Sequence, residues 1–96
     1  MQNIQPQEVP QNVRLIDVRE PDEFAAVHAA QATNIPLSEF TGRVGEIDTT
    51  LPVYVICKSG GRSARAGEFL EQATDAEVIN VEGGTDAWVA LNLPTE

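Results

Sequence analysis

The sequence predicts an α/β domain in which a parallel sheet is covered by helices on both faces. Three observations point there. Short β-branched, apolar segments alternate with segments of helical periodicity. The most apolar of them, Pro52-Val53-Tyr54-Val55-Ile56-Cys57, is apolar or aromatic on both faces, as a strand inside a parallel sheet is. The length, 96 residues, suffices for one compact core and not for two.

The elements follow in order. The opening Met1-Gln2-Asn3-Ile4-Gln5-Pro6 is polar and carries no leader-like pattern. Arg14 to Arg19 reads as a short buried strand ending in polar residues. Pro21, with Asp22 and Glu23 behind it, suits the first turn of a helix, and Phe24, Val27 and His28 continue at helical spacing. Thr33-Asn34-Ile35-Pro36-Leu37 reads as a second strand, placed by its proline at a sheet edge or strand terminus. After the strand at 52–57, Ser59-Gly60-Gly61 breaks the chain. Ala66, Phe69, Leu70 and Ala73 then form one apolar stripe of a helix. Glu77 to Val81 is a further strand, closed by Gly83-Gly84. Thr85 is placed to cap a last helix with Ala87, Trp88 and Leu91 on its apolar face.

Fifteen acidic residues against six basic ones give a formal charge of −9, which argues against nucleic acid or an anionic membrane as partner. The longest apolar run, Val53 to Cys57, is far too short to span a bilayer. A hydrophobic content of 42% is that of a folded domain. One cysteine rules out an internal disulfide, and one histidine leaves no sensible metal-ligand spacing. The expectation is a soluble, cytoplasmic domain with neither structural metal nor cofactor.

The charge is uneven. No acid stands between Asp48 and Glu68, while Lys58, Arg62 and Arg65 do, so residues 49–67 carry +3 and the remainder −12. Cys57 opens this stretch, at the carboxyl end of the most buried strand, where open parallel sheets bind ligands. Asp17 and Arg19 end an earlier strand, and Glu82 to Gly84 follow the last, so three strand ends converge. The short connection Cys57-Lys58-Ser59-Gly60-Gly61-Arg62-Ser63 can turn backbone N–H groups inward as an anion nest at a helix start. The glycines permit positive φ, and Lys58 and Arg62 add positive field. Each effect favours thiolate over thiol, which makes Cys57 a candidate nucleophile. A phosphate-binding P-loop pattern is absent, and the lone His28 stands too early to serve a Ser-His-Asp triad. His28 reads as solvated or partly packed, and Trp88 as core.

These residues resemble the single-domain rhodaneses, the thiosulfate sulfurtransferases and their relatives. The likeness runs from about Ile4 to Pro94. It rests on Leu15-Ile16-Asp17-Val18-Arg19-Glu20 with Glu23-Phe24, on Asn34-Ile35-Pro36-Leu37, on the loop from Cys57 to Ser63, and on Asn80-Val81-Glu82-Gly83-Gly84 with Ala87-Trp88. It implies one domain over 1–96 with about five parallel strands. Two departures stand out. Val27-His28-Ala29-Ala30-Gln31-Ala32 replaces the family's Gly-His-Ile-Pro-Gly-Ala, so that this segment could be helical instead of turned. Asn92 takes a common glycine position, where positive φ remains open to it.

The resemblance implies persulfide chemistry. Cys57 would take the outer sulfur of a small anionic donor such as thiosulfate and pass it to a thiol, protein or cyanide acceptor. Lys58, Ser59, Gly60, Gly61, Arg62 and Ser63 would bind the donor. Arg19 would bind its anionic end or else form a salt bridge to Glu20 or Glu23. A carrier module relaying sulfur between proteins would use the same residues. Phosphatases and arsenate reductases of this fold have one more residue between Cys and Arg, so the shorter loop here suits a single sulfur better than a phosphate. A monomer or weak dimer is expected.

Overall fold

The computed structural model describes residues 1–96. Its strands are β1 (Gln2–Ile4), β2 (Leu15–Asp17), β3 (Ala32–Asn34), β4 (Val53–Ile56) and β5 (Val78–Val81). Its helices are α1 (Pro21–Ala26), α2 (Phe40–Arg43), α3 (Gly61–Ala73) and α4 (Gly84–Ala90). The five strands form one sheet in the order β1-β5-β4-β2-β3, and every pairing is parallel.

Alternation along the strands builds two cores. On one face Ile16, Val18, Val53, Val55, Cys57 and Val78 pack with Phe40 of α2 and with Ala66 and Leu70 of α3. On the other, Leu15, Ile56 and Val81 pack with Val9, Ala29 and Trp88 of α4. From β2 the chain moves outward to β3, and from β4 it moves the opposite way to β5. The strand order therefore reverses between β2 and β4, and parallel sheets open a crevice at such a reversal.

Several elements depart from expectation. The polar opening is an edge strand: β1 pairs with β5 through Gln2–Ile79, Asn3–Asn80 and Ile4–Val81. Its side chains are largely exposed, so hydrophobic patterning gives no sign of it. The strand read at 33–37 is Ala32–Asn34 and yields to a 3₁₀ turn at Leu37–Glu39. In α3, Ala66 and Leu70 of the expected stripe are buried, but Phe69 and Ala73 are exposed, and Ser63 and Gly67 take their place against the sheet. Phe69 reaches only edge-on to Phe40, at 6.4 Å between ring centroids. In α4 the buried residues are Gly84, Thr85 and Trp88, Leu91 is exposed, and Gly83, not Thr85, holds the N-cap position.

The segment after α1 is turned, not helical. The helix stops at Ala26, and Ala29 bridges to Thr95. His28 lies beyond the helix, half-buried, with its ring stacked on Phe24 at 3.7 Å and its Nδ1–H donated to the Phe24 carbonyl at 2.7 Å. Asn92 adopts φ +56, as its position at the end of α4 suggested. Trp88 is buried, and its indole N–H donates to the Pro94 carbonyl at 2.8 Å. No helix is long and apolar enough to cross a membrane.

Candidate active site

The register of β4 and β5 decides what lies beneath the loop after β4. Val55 pairs with Asn80, and both point to the face covered by α3. Cys57, two residues past Val55, points the same way and meets the first turn of α3. Three residues later Gly60 sits at φ +116 as the N-cap of α3, a conformation that costs a residue without Cβ little. That turn aims the Gly60 N–H at the Cys57 Sγ, 3.1 Å away, with the Ser63 hydroxyl at 3.3 Å.

Burial pushes the Cys57 thiol up. Hydrogen bonds from the Ser63 hydroxyl and from the backbone N–H groups of Ser63, Gly60 and Ser59 outweigh it, so the group titrates below the ordinary range of a thiol. Arg62 adds a longer-range attraction, since its own charge is favoured by the sulfur. The anion nest expected from the glycines is present, and hydrogen bonding dominates over the field of the cations. The sulfur is not at an open mouth, however. Cys57 is only 1% exposed, covered by its own loop. Two surface cavities lie elsewhere, one among Arg14, Leu51 and Tyr54 and one among Val9, Gln31 and Trp88.

The other side of the loop is clamped by α4. The Thr85 N–H and hydroxyl donate to the Cys57 carbonyl at 2.7 and 3.1 Å, and the Asp86 N–H donates to the Lys58 carbonyl at 3.0 Å. The amides of α4 thus satisfy loop carbonyls, while those of α3 face sulfur. So close an approach requires glycine at Gly84, where φ is +59 and a Cβ would run into the carbonyls of Cys57 and Lys58.

Neither loop cation is unpaired. Lys58 Nζ meets Asp86 Oδ2 at 2.9 Å, with both side chains exposed. Arg62 makes a two-pronged pair with Glu23 of α1, at 2.7 and 3.0 Å. That contact holds the Glu23 carboxyl down at about 2. Of the three cations behind the local surplus of +3, Lys58 and Arg62 are therefore neutralised in space by acids from α4 and α1.

Arg19 turns inward. It is 4% exposed and grips Asp17 through Nε and Nη2, with the shortest contact 2.8 Å. Its remaining N–H groups reach the carbonyls of Glu23 and Val27 at 3.4 and 2.7 Å. Of the two readings, the salt bridge is present, but its partner is Asp17 and not Glu20 or Glu23. The pair braces the crevice wall and the end of α1.

Asn80, Thr85, Asp86 and Glu23 stand at the site in the structure. The sequence marks Glu23 only for a helix start, a family signature and a possible Arg19 partner, Thr85 as a cap, Asn80 within a signature, and Asp86 not at all. Asn80 is also the one polar residue in Val78-Ile79-Asn80-Val81. It is buried; its Oδ1 accepts from the Ser63 hydroxyl, and its Nδ2 donates to Asn3 and to the Gly60 carbonyl.

A family model described as the Rhodanese-like domain matches residues 2–91. The Bacillus subtilis protein YqhL is 45% identical over 75 residues, which cover 78% of this chain and 60% of that protein, so the chain spans under two thirds of that relative. A protein of Allochromatium vinosum named Sulfurtransferase is 34% identical over 84 residues, covering 88% of this chain and 78% of that one. The crystal structure of a rhodanese-related protein from Thermoplasma volcanium superposes with a TM-score of 0.91 at 32% identity, over 100% of this chain and 98% of its own. With its strand order, its cysteine loop and these matches in agreement, the chain belongs to the rhodanese-like domain family.

Proposed function

We propose that the protein is a sulfurtransferase that moves a sulfane sulfur through a persulfide on Cys57, from thiosulfate or a similar donor to a thiol acceptor. The observation that carries this reading is the nest of Gly60 and Ser63 donors around the only sulfur nucleophile in the chain. In the first step the Cys57 thiolate attacks the outer sulfur of the donor. The bond between the donor's two sulfurs breaks, and its electron pair leaves with sulfite or a thiolate. Cys57 then holds S–S⁻, and the loop amides stabilise charge on the terminal sulfur as an oxyanion hole does. In the second step an acceptor thiolate takes that terminal sulfur and returns Cys57 as thiolate. No general base is required where the loop's hydrogen bonds favour the thiolate as the attacking form. The buried sulfur requires the 57–60 loop to shift as the donor enters.

Mass spectrometry after incubation with a sulfane donor tests the reading. The expected result is a gain of one sulfur mapped to residue 57 and removable by a thiol. Cys57→Ser should gain none and transfer none while unfolding at a similar urea concentration. Sulfur transfer by that variant would overturn the covalent route.

A further inference from the structure

The charge around Cys57 constrains the donor beyond its being a source of sulfane sulfur, and the argument rests on the Cys57 persulfide reading. Every cation whose side chain belongs to the crevice is paired: Arg19 with Asp17, Lys58 with Asp86, Arg62 with Glu23. Arg65, which has no carboxylate partner, stands three residues beyond Arg62 along α3. Three stretches follow the ends of β2, β4 and β5. Val18–Glu23 holds three acids and one base, Cys57–Ser63 two bases, and Glu82–Asp86 two acids, which leaves the rim at −2 before any thiolate forms. The whole chain is at −9. A free dianion approaching this rim is repelled by rim and molecule alike, whereas a sulfur set in a positive surface is drawn in.

We propose that Asp86 and Glu23 set donor specificity. By occupying Lys58 and Arg62 they turn Cys57 away from small inorganic dianions and toward a persulfide borne by a partner protein whose surface around that persulfide is basic. The transfer is balanced without a further reactant. Cys57–S⁻ attacks the terminal sulfur of R–S–SH, the S–S bond of the donor breaks, and R–S⁻ departs with its electron pair as Cys57–S–SH forms. The two acids differ in how firmly they hold. Asp86 is exposed and yields readily, while Glu23 is half-buried and two-pronged.

The test measures initial rates of sulfur gain at Cys57 with three probes: thiosulfate, a persulfidated cysteine peptide flanked by lysines, and the same peptide with glutamates in their place. The lysine peptide should load about tenfold faster than the glutamate peptide, with the gap closing at high salt. Asp86→Asn should raise loading from thiosulfate about fivefold and narrow the difference between peptides. Glu23→Gln should act in the same direction, so the inference does not hang on one variant's folding. Equal rates for the two peptides, or thiosulfate loading unchanged in both variants, would overturn it. If no probe puts sulfur on Cys57, the persulfide reading itself fails, and the specificity argument falls with it.

Discussion

The Ser63 hydroxyl lies 2.5 Å from the Asn80 Oδ1, 3.2 Å from the Gly60 carbonyl and 3.3 Å from the Cys57 Sγ, and it has one proton to give. Asn80 therefore competes with the sulfur for that proton. Ser63→Ala should move the pH profile of Cys57 alkylation to higher pH and slow alkylation at neutrality about fivefold, the worth of one hydrogen bond. Asn80→Leu should do the reverse, to a smaller extent, because the freed hydroxyl is then shared between the sulfur and the Gly60 carbonyl. The substitution is survivable, because the Gly60 carbonyl still accepts from the Ala64 N–H at 3.1 Å and the Asn3 left behind is exposed. In the double variant the profile should follow Ser63→Ala alone. A shift to higher pH on replacing Asn80 would show that it merely supports the loop.

The pair between Arg62 and Glu23 has a signature in the acid limb of stability. The Glu23 carboxyl titrates at about 2 when folded, against 4.5 ordinarily. A depressed carboxylate stabilises the fold above its unfolded value, and that contribution disappears as pH falls through the folded one. The loss should thus run from about 4.5 down to about 2. Glu23→Gln should lower stability at neutral pH and flatten the urea midpoint across this interval. Because both side chains are about a third exposed, the effect at neutrality should be modest, on the order of 1 kcal/mol. An unchanged acid limb would mean that solvent screens the pair completely.

How much could be read beforehand depended on whether the physics was local. Strands β4 and β5 are buried on both faces and so announce themselves as apolar runs, whereas β1 exists because the edge of β5 offers hydrogen bonds that no pattern in residues 2–4 records. The site divides in the same way. Cys57, Gly60 and Ser63 lie within seven residues, and their spacing is itself the turn. The groups that tune them arrive by topology: Asn80 stands 17 residues from Ser63, Asp86 28 from Lys58, and Glu23 39 from Arg62. Local charge counting along the chain gives +3, whereas in space two of those three cations are paired with acids from distant segments. In α3 the pattern finds Ala66 and Leu70 but not Ser63 and Gly67, which face the sheet although neither is hydrophobic.

Arg19 and Asp17 form the most buried ion pair of the chain, with side chains 5% and 0% exposed. Removing one partner from such a pair strands the other charge out of water, which costs about 3–5 kcal/mol. Arg19→Ala should accordingly unfold at much lower urea and weaken the end of α1, whose Glu23 and Val27 carbonyls lose their donor. A donor-binding arginine would behave differently. Its loss would raise KM for thiosulfate and leave the urea midpoint near that of the unaltered protein, and that result would return Arg19 to the substrate.

Gly84→Ala offers the sharpest test of the clamp that α4 places on the cysteine loop. The residue's φ of +59 lies in the left-handed region, which costs an alanine about 1–2 kcal/mol. The new Cβ would in addition strike the carbonyls of Cys57 and Lys58, backbone atoms that cannot rotate away. Relief requires α4 and the loop to separate, which breaks the bonds from Thr85 and Asp86 to those carbonyls. The expected cost is about 3 kcal/mol or more, and it should appear at the site as well as in the urea midpoint. Once released, the loop no longer holds the Gly60 N–H on the sulfur, so Cys57 should become more accessible to a neutral alkylating reagent at high pH and less ionised near neutrality. A variant of unchanged stability with an unchanged alkylation profile would show that the loop keeps its shape without the clamp.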